Sequence, residues 1–116
     1  MNDLNSVLIE GIVITEPSLG VECTKSNVGV ECHFRIESQR SDKLWDGIIR
    51  EEHSDFDIIV RGHQGEICYE RLRKMGWEDR GVRVVGRLCA KLAIVPKYPV
   101  YIIAEHIEFK PEKAGE

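Results

Sequence analysis

The side chains of this 116-residue chain that could act as bases, nucleophiles or metal ligands are few. They are His33, His53, His63 and His106, Cys23, Cys32, Cys68 and Cys89, and the carboxylate pair Glu51-Glu52. Their spacing argues against catalysis. No Ser-His-Asp order, G-x-S-x-G elbow, phosphate-binding glycine loop or H-E-x-x-H helix can be read among them. No two cysteines form a C-x-x-C pair, and Cys32-His33 is the one adjacent pair of ligand types. A zinc site needs two such pairs. The cysteines read as small buried thiols, and Glu51-Glu52 as part of a solvated charged run. Neither an enzyme nor a bound metal or cofactor is expected.

A different chemistry is open to the cations. Arg35, Arg61, Arg83, Arg87 and Lys91 recur at alternate positions beside apolar residues, as they would on the outward side of strands. Singly, each reads as solvated surface. As a set on neighbouring strands, they would make a groove that tracks a phosphate backbone. Two aromatics could add stacking. Trp45 lies in a charged stretch, where it would contact a ligand, cover a barrel mouth or meet another subunit. Tyr98, between Pro96 and Pro99, would stack on a base or pack against its turn.

The elements that must position these residues follow from periodicity. Val7 to Val13 reads as a strand bent at Gly11, followed by a turn over Glu16-Pro17-Ser18-Leu19-Gly20. Val30 to Gln39 alternates, with Val30, Cys32, Phe34 and Ile36 on one face. Residues 40–54 read as a long loop or hairpin tip, and Asp55 to Arg61 as a third strand. Gln64 to Met75 is helical, with Ile67, Cys68, Leu72 and Met75 on one face and Gly76 as its stop. Val82 to Leu92 and Val100 to Phe109 complete the set. Three strands, a helix and two strands is the order of the five-stranded Greek-key barrel called the OB-fold, an all-β class. Element counts alone also admit other small α+β folds. Residues 1–110 would form the domain and 111–116 a short flexible end.

Four stretches resemble the bacterial single-stranded DNA-binding protein family. Leu4-Asn5-Ser6-Val7-Leu8-Ile9-Glu10-Gly11 is similar to its opening L-N-x-V-x-L-x-G pattern. Phe56-Asp57-Ile58-Ile59-Val60-Arg61-Gly62, with Glu66 and Tyr69-Glu70-Arg71-Leu72-Arg73-Lys74, resembles its third strand and helix. Gly81-Val82-Arg83-Val84-Val85-Gly86-Arg87-Leu88 resembles its fourth strand, and Ala104-Glu105-His106-Ile107-Glu108-Phe109 its fifth. The resemblance implies an OB-fold that binds single-stranded DNA without chemistry. It also implies a homo-oligomer, a tetramer or dimer, joined through first strands. Expected roles are DNA replication, recombination and repair in the cytoplasm, on the nucleoid, with RNA as a related polyanion.

Three departures matter. Positions where the family often carries stacking aromatics hold Asp42, Asp55, Arg61 and Ala93. A stacked base is worth about 1–3 kcal/mol, so binding should lean on charge and be modest. The usual acidic-tipped tail is not expected beyond Pro111 to Glu116, nor are the enzymes it recruits. Gly76-Trp77-Glu78-Asp79-Arg80 looks like an insertion. The alternative function is an oligomerisation or protein-interaction module, or a primosome-type accessory protein, with little DNA affinity.

Composition bounds these readings. The chain is 42% hydrophobic and 31% charged, enough for one globular domain. No apolar run approaches the ~18 residues of a membrane span. The net charge of −4 argues against a nucleic-acid coat only until its distribution is seen. Residues 1–70 hold six basic and fourteen acidic side chains, whereas residues 71–97 hold eight and two.

Overall fold

A computed structural model of the chain describes residues 3–23, 28–90 and 100–111. Among these are six strands, β1 (Val7–Val13), β2 (Ser18–Cys23), β3 (Val28–Lys43), β4 (Ile49–Arg61), β5 (Gly81–Cys89) and β6 (Tyr101–Phe109). One helix, α1 (Gly62–Met75), lies between β4 and β5. The strands run β1-β5-β6-β4-β3-β2 across the sheet, and β1 also pairs with β3, which closes it into a barrel. β1 and β2 are two segments laid along the same partner. Val13 faces Ile36 and Ser18 faces His33, with buried Pro17 in the break, where a missing N–H cannot serve a ladder. Counted this way, the barrel is the five-stranded OB-fold that the element order implies.

Gly11 permits the closure. A Cβ there would lie 2.5 Å from the carbonyl oxygen of Glu37, so a larger residue would push β1 off β3. The interior is the apolar phase of each strand. Cys32, Phe34 and Ile36 from β3, Ile58 and Val60 from β4, Val82 and Val84 from β5, and Ile102 and Ala104 from β6 are all buried. Helix α1 covers this core with Gly65, Cys68 and Leu72. Gly65 sits so low that a Cβ would meet the Val60 carbonyl oxygen at 2.2 Å, which places the Cys68 thiol against that of Cys32. The hydrogen bond with Cys32 and the burial push the Cys68 thiol well up, and it stays protonated.

Three sequence expectations change. The turn over Ser18-Leu19-Gly20 is strand β2, because the start of β3 offers a ladder that local turn residues do not outweigh. Of the two readings of residues 40–54, a long loop or a hairpin tip, the hairpin holds, and its strands extend further out than a tip would. β3 runs on to Lys43, β4 begins at Ile49, and only the tip turns, with the Asp46 carboxylate accepting from the Ile48 N–H at 3.0 Å. This arm buries neither face, so its sequence carries no apolar alternation; cross-strand pairs such as Arg40 with Glu52 and Asp42 with Arg50 line it instead. Finally, Ile67 is exposed rather than on the buried stripe of α1, whose Gly65, Cys68 and Leu72 follow a tighter line. Trp77 packs against the core beyond the helix end, and half-buried Phe56 lies at the core's edge.

Candidate nucleic-acid interface

The outer wall of the barrel is built by the residues that alternate with the core. On β3 these are Glu31, His33, Arg35 and Glu37, and on β4 Asp55, Asp57, Ile59 and Arg61. The register sets Arg61 directly opposite Glu31, and Arg35 opposite Asp57. Both pairs close. The Arg35 guanidinium donates through Nε and Nη2 to the two Asp57 oxygens at 3.2 and 3.4 Å, and Arg61 Nε donates to Glu31 Oε1 at 3.3 Å. The other Glu31 oxygen lies 2.7 Å from His33 Nε2. One carboxylate therefore bridges an arginine and a histidine.

The β5 cations lie two strands away, beyond β6. Arg83 meets Glu10 of β1 at 2.6 Å and Glu108 of β6 at 3.7 Å, while Arg87 meets Glu105 at 3.4 Å. Lys110 also holds Glu10. The hydrogen bonds from Lys110 and Arg83 keep the Glu10 carboxyl below the usual carboxylate range, and Glu10 in turn raises Arg83. One row of paired residues crosses the wall from Arg87 on β5 through Ile103 on β6 and Ile59 on β4 to His33 on β3. At the usual strand spacing that row is roughly 14 Å wide. Ile59 and Ile103 are buried with Tyr101 in a second, small apolar cluster, against which Cys89 packs. The wall thus has an apolar seam between two sets of arginines.

The structure brings together Arg35 and Arg61, and joins Arg87 to them through the seam; Arg83 lies further along β5 in its own network. Trp45 is not part of this cluster. It stands at the arm tip, 97% exposed beside Leu44, Ile48 and Ile49, and roughly 30 Å along the strand from Arg35. Lys91, Tyr98 and Ala93 lie outside the described residues. Asp55 is on the same face as Arg35 and Arg61, opposite Glu37, whereas Asp42 falls on the alternate phase, opposite Arg50.

The carboxylates that answer the arginines, Glu31, Asp57, Glu105, Glu108 and Glu10, are the residues that reading the cations alone leaves out. Their signal is in the sequence. Glu31 and Arg35 share a phase on one strand, as Asp57 and Arg61 do on the next. The register that makes them partners is fixed only by folding. Among the described residues, no group of three or more His, Cys, Asp or Glu side chains is arranged to hold a metal. No helix there is long and apolar enough to cross a membrane.

No family model matches the chain, and no curated protein matches it in sequence. Solved structures do. The single-stranded DNA binding protein of Thermus aquaticus aligns with a TM-score of 0.73 at 18% identity, over 95% of this chain and 52% of that one. A deletion mutant of the same protein aligns equally well. The Plasmodium falciparum SSB, solved in complex with ssDNA, aligns at 0.70 and 18% identity, over 96% of this chain and 98% of that one. This chain spans about half the length of the Thermus aquaticus protein. At this identity the likeness establishes the fold: an OB barrel of the kind these single-stranded DNA-binding proteins have.

Proposed function

We propose that this chain is a non-catalytic single-stranded DNA-binding protein that takes the strand along the outer wall of β3 and β4. The observation that carries the reading is the placement of Arg35 and Arg61, with His33 between them, on one accessible strip of a barrel shared with DNA-binding proteins. Their carboxylate partners do not block such a role. Partly exposed ion pairs are worth about 0–1 kcal/mol, so a phosphate can take over a guanidinium at little cost, through two parallel hydrogen bonds. Arg87 and Arg83 on β5 add cations to the same outer wall, and Lys91, outside the described residues, is proposed with them. Trp45 on the arm and Tyr98 supply stacking.

The paired carboxylates set the strength. Each one displaced returns to solvent near the bound strand and repels it, so binding is modest and falls steeply with salt. The functional setting is DNA replication, recombination or repair, in the cytoplasm on the nucleoid. A homo-oligomer fits the first strand. Among the described residues, Val7 to Glu10 of β1 have ladder partners only on β5, and Leu8 is 67% exposed. An open edge beside exposed leucine is a surface that a second copy pairs with.

One observation favours a second reading as a protein-interaction module: Arg35, Arg61, Arg83 and Arg87 each have an acidic partner. Titration with oligo-dT decides between them, following Trp45 emission and the anisotropy of a labelled strand at low and moderate salt. Quenching with saturable binding at low salt, weakened by added salt, is the expected result. No signal up to tens of micromolar protein at low salt leaves the interaction module standing instead.

A further inference from the structure

Two histidines lie on the strip assigned above to DNA, and both are wired to its carboxylates. His33 Nε2 is 2.7 Å from Glu31, which also accepts from Arg61 at 3.3 Å. The Glu31 side chain is 13% exposed and that of His33 43%, so the contact is sheltered on the carboxylate side and open to water on the imidazole side. His53, on the outer part of β4, has Nδ1 at 3.2 Å from Glu37 and Nε2 at 3.9 Å from Glu51. The Glu37 carboxyl is held below its usual range by hydrogen bonds from Gln39 and His53.

The charge of the strip is small enough for two protons to matter. Along this phase of β3 and β4 stand five carboxylates, Glu31, Glu37, Glu51, Asp55 and Asp57. Against them stand three cations, Arg35, Lys43 and Arg61, and the two histidines. With neutral histidines the strip carries −2, and with both protonated it carries none. Among the described residues, the ladder sets these groups beside each histidine. His33 has Glu31 and Arg35 on its own strand, Asp57 and Arg61 flanking its β4 partner Ile59, and uncharged Ser18 from β2. His53 has Glu51 and Asp55 on its own strand, and Gln39, Glu37 and Ser41 from β3. The β4–β6 ladder lies at Ile58 and Ile59, so among the described residues β6 does not adjoin His53.

We infer that His33 and His53 gate single-stranded DNA binding by pH, the strip accepting the strand more tightly once both are protonated. This rests on the function proposed above. Histidine is the side chain that gains charge between pH 8 and 5, a range in which carboxylates stay ionised. Protonated His33 neutralises Glu31 and lifts the Glu31–His33–Arg61 group from zero to +1. Protonated His53 takes the Glu37–His53–Glu51 group from −2 to −1. Both changes remove repulsion from the path of a polyanion.

The test is oligo-dT affinity of the full chain at pH 7.5 and 5.5, at fixed low salt, with its salt dependence at each pH. Two added cations, each taking up one phosphate of a single strand, release about 1.4 more counterions. The wild-type salt slope should steepen by about 1.4, and the affinity should rise on the order of tenfold or more at the lower pH. His33→Gln with His53→Gln should lose that rise. His33→Lys with His53→Lys should bind at pH 7.5 as the wild type does at pH 5.5. His63→Gln, on the exposed start of α1, should keep the wild-type response. Binding that is indifferent to pH overturns the gate and leaves the proposed function intact, as does a full response in the double glutamine variant. No binding at either pH removes the proposed function and the gate with it.

Discussion

β3 and β4 form one continuous ladder, yet its two halves obey different physics. From Glu31 to Glu37, and from Asp55 to Arg61, one face is sealed in the core and the other carries the charged strip. Beyond Gln39 and His53 the same two strands stand away from the barrel with both faces wet, ending in exposed Leu44, Trp45, Ile48 and Ile49. The inner half is held by burial. The outer half is held by its ladder and cross-strand pairs, and a two-stranded ribbon alone is marginal in water. Stability therefore belongs to one half, while reach belongs to the other.

Substitutions can separate the halves. The largest effect should come from beneath the inner half. Leu72→Ala, which empties the core under α1, should cost about 3 kcal/mol in chemical denaturation. Trp45→Ala at the arm tip should leave the unfolding midpoint unchanged. It should weaken oligo-dT binding by about 1–3 kcal/mol if the arm lays a stacking surface on the strand. A loss of stability in that variant would mean that the tip packs on the barrel. Arg50→Ala, which removes the side chain opposite Asp42 on the arm, should cost less than about 0.5 kcal/mol. A larger cost would show that the arm is held as firmly as the wall.

The smallest effect concerns acid. The folded state depresses the carboxyls of Glu10 and Glu37, so the stability they add is present above their unfolded values and is lost as pH falls through their folded ones. The melting temperature should be flat from pH 7 to about 5 and decline below that. Glu10→Gln should shallow the decline. An unchanged slope in that variant would place the acid sensitivity elsewhere.

The two halves also differ in how plainly the sequence reveals them. Cys32-Phe34-Ile36 and Ile58-Val60 alternate because one face is buried, and burial is what periodicity reports. The order of strands around one helix then matches the barrel, and the four family-like stretches single it out from other small α+β folds. The arm has no buried face, so residues 40–54 look like a loop or a hairpin tip although they pair rung for rung. β2 is obscured for another reason. Pro17 and Gly20 are true breakers locally, but β3 supplies the ladder. The site was half legible. The outward phases of Arg35, Arg61, Arg83 and Arg87 can be read directly, while their neutralisation by Asp57, Glu31, Glu10 and Glu105 depends on inter-strand register.

Whether that strip holds DNA is tested most directly by the salt dependence of oligo-dT binding in Arg35→Gln with Arg61→Gln, set beside the wild type. The two guanidiniums should each account for one phosphate. The slope of log affinity against log salt should then shallow by about 1.4, with the fold intact by melting. A double variant that binds with the wild-type slope would contradict the account and move the strand off the β3–β4 wall.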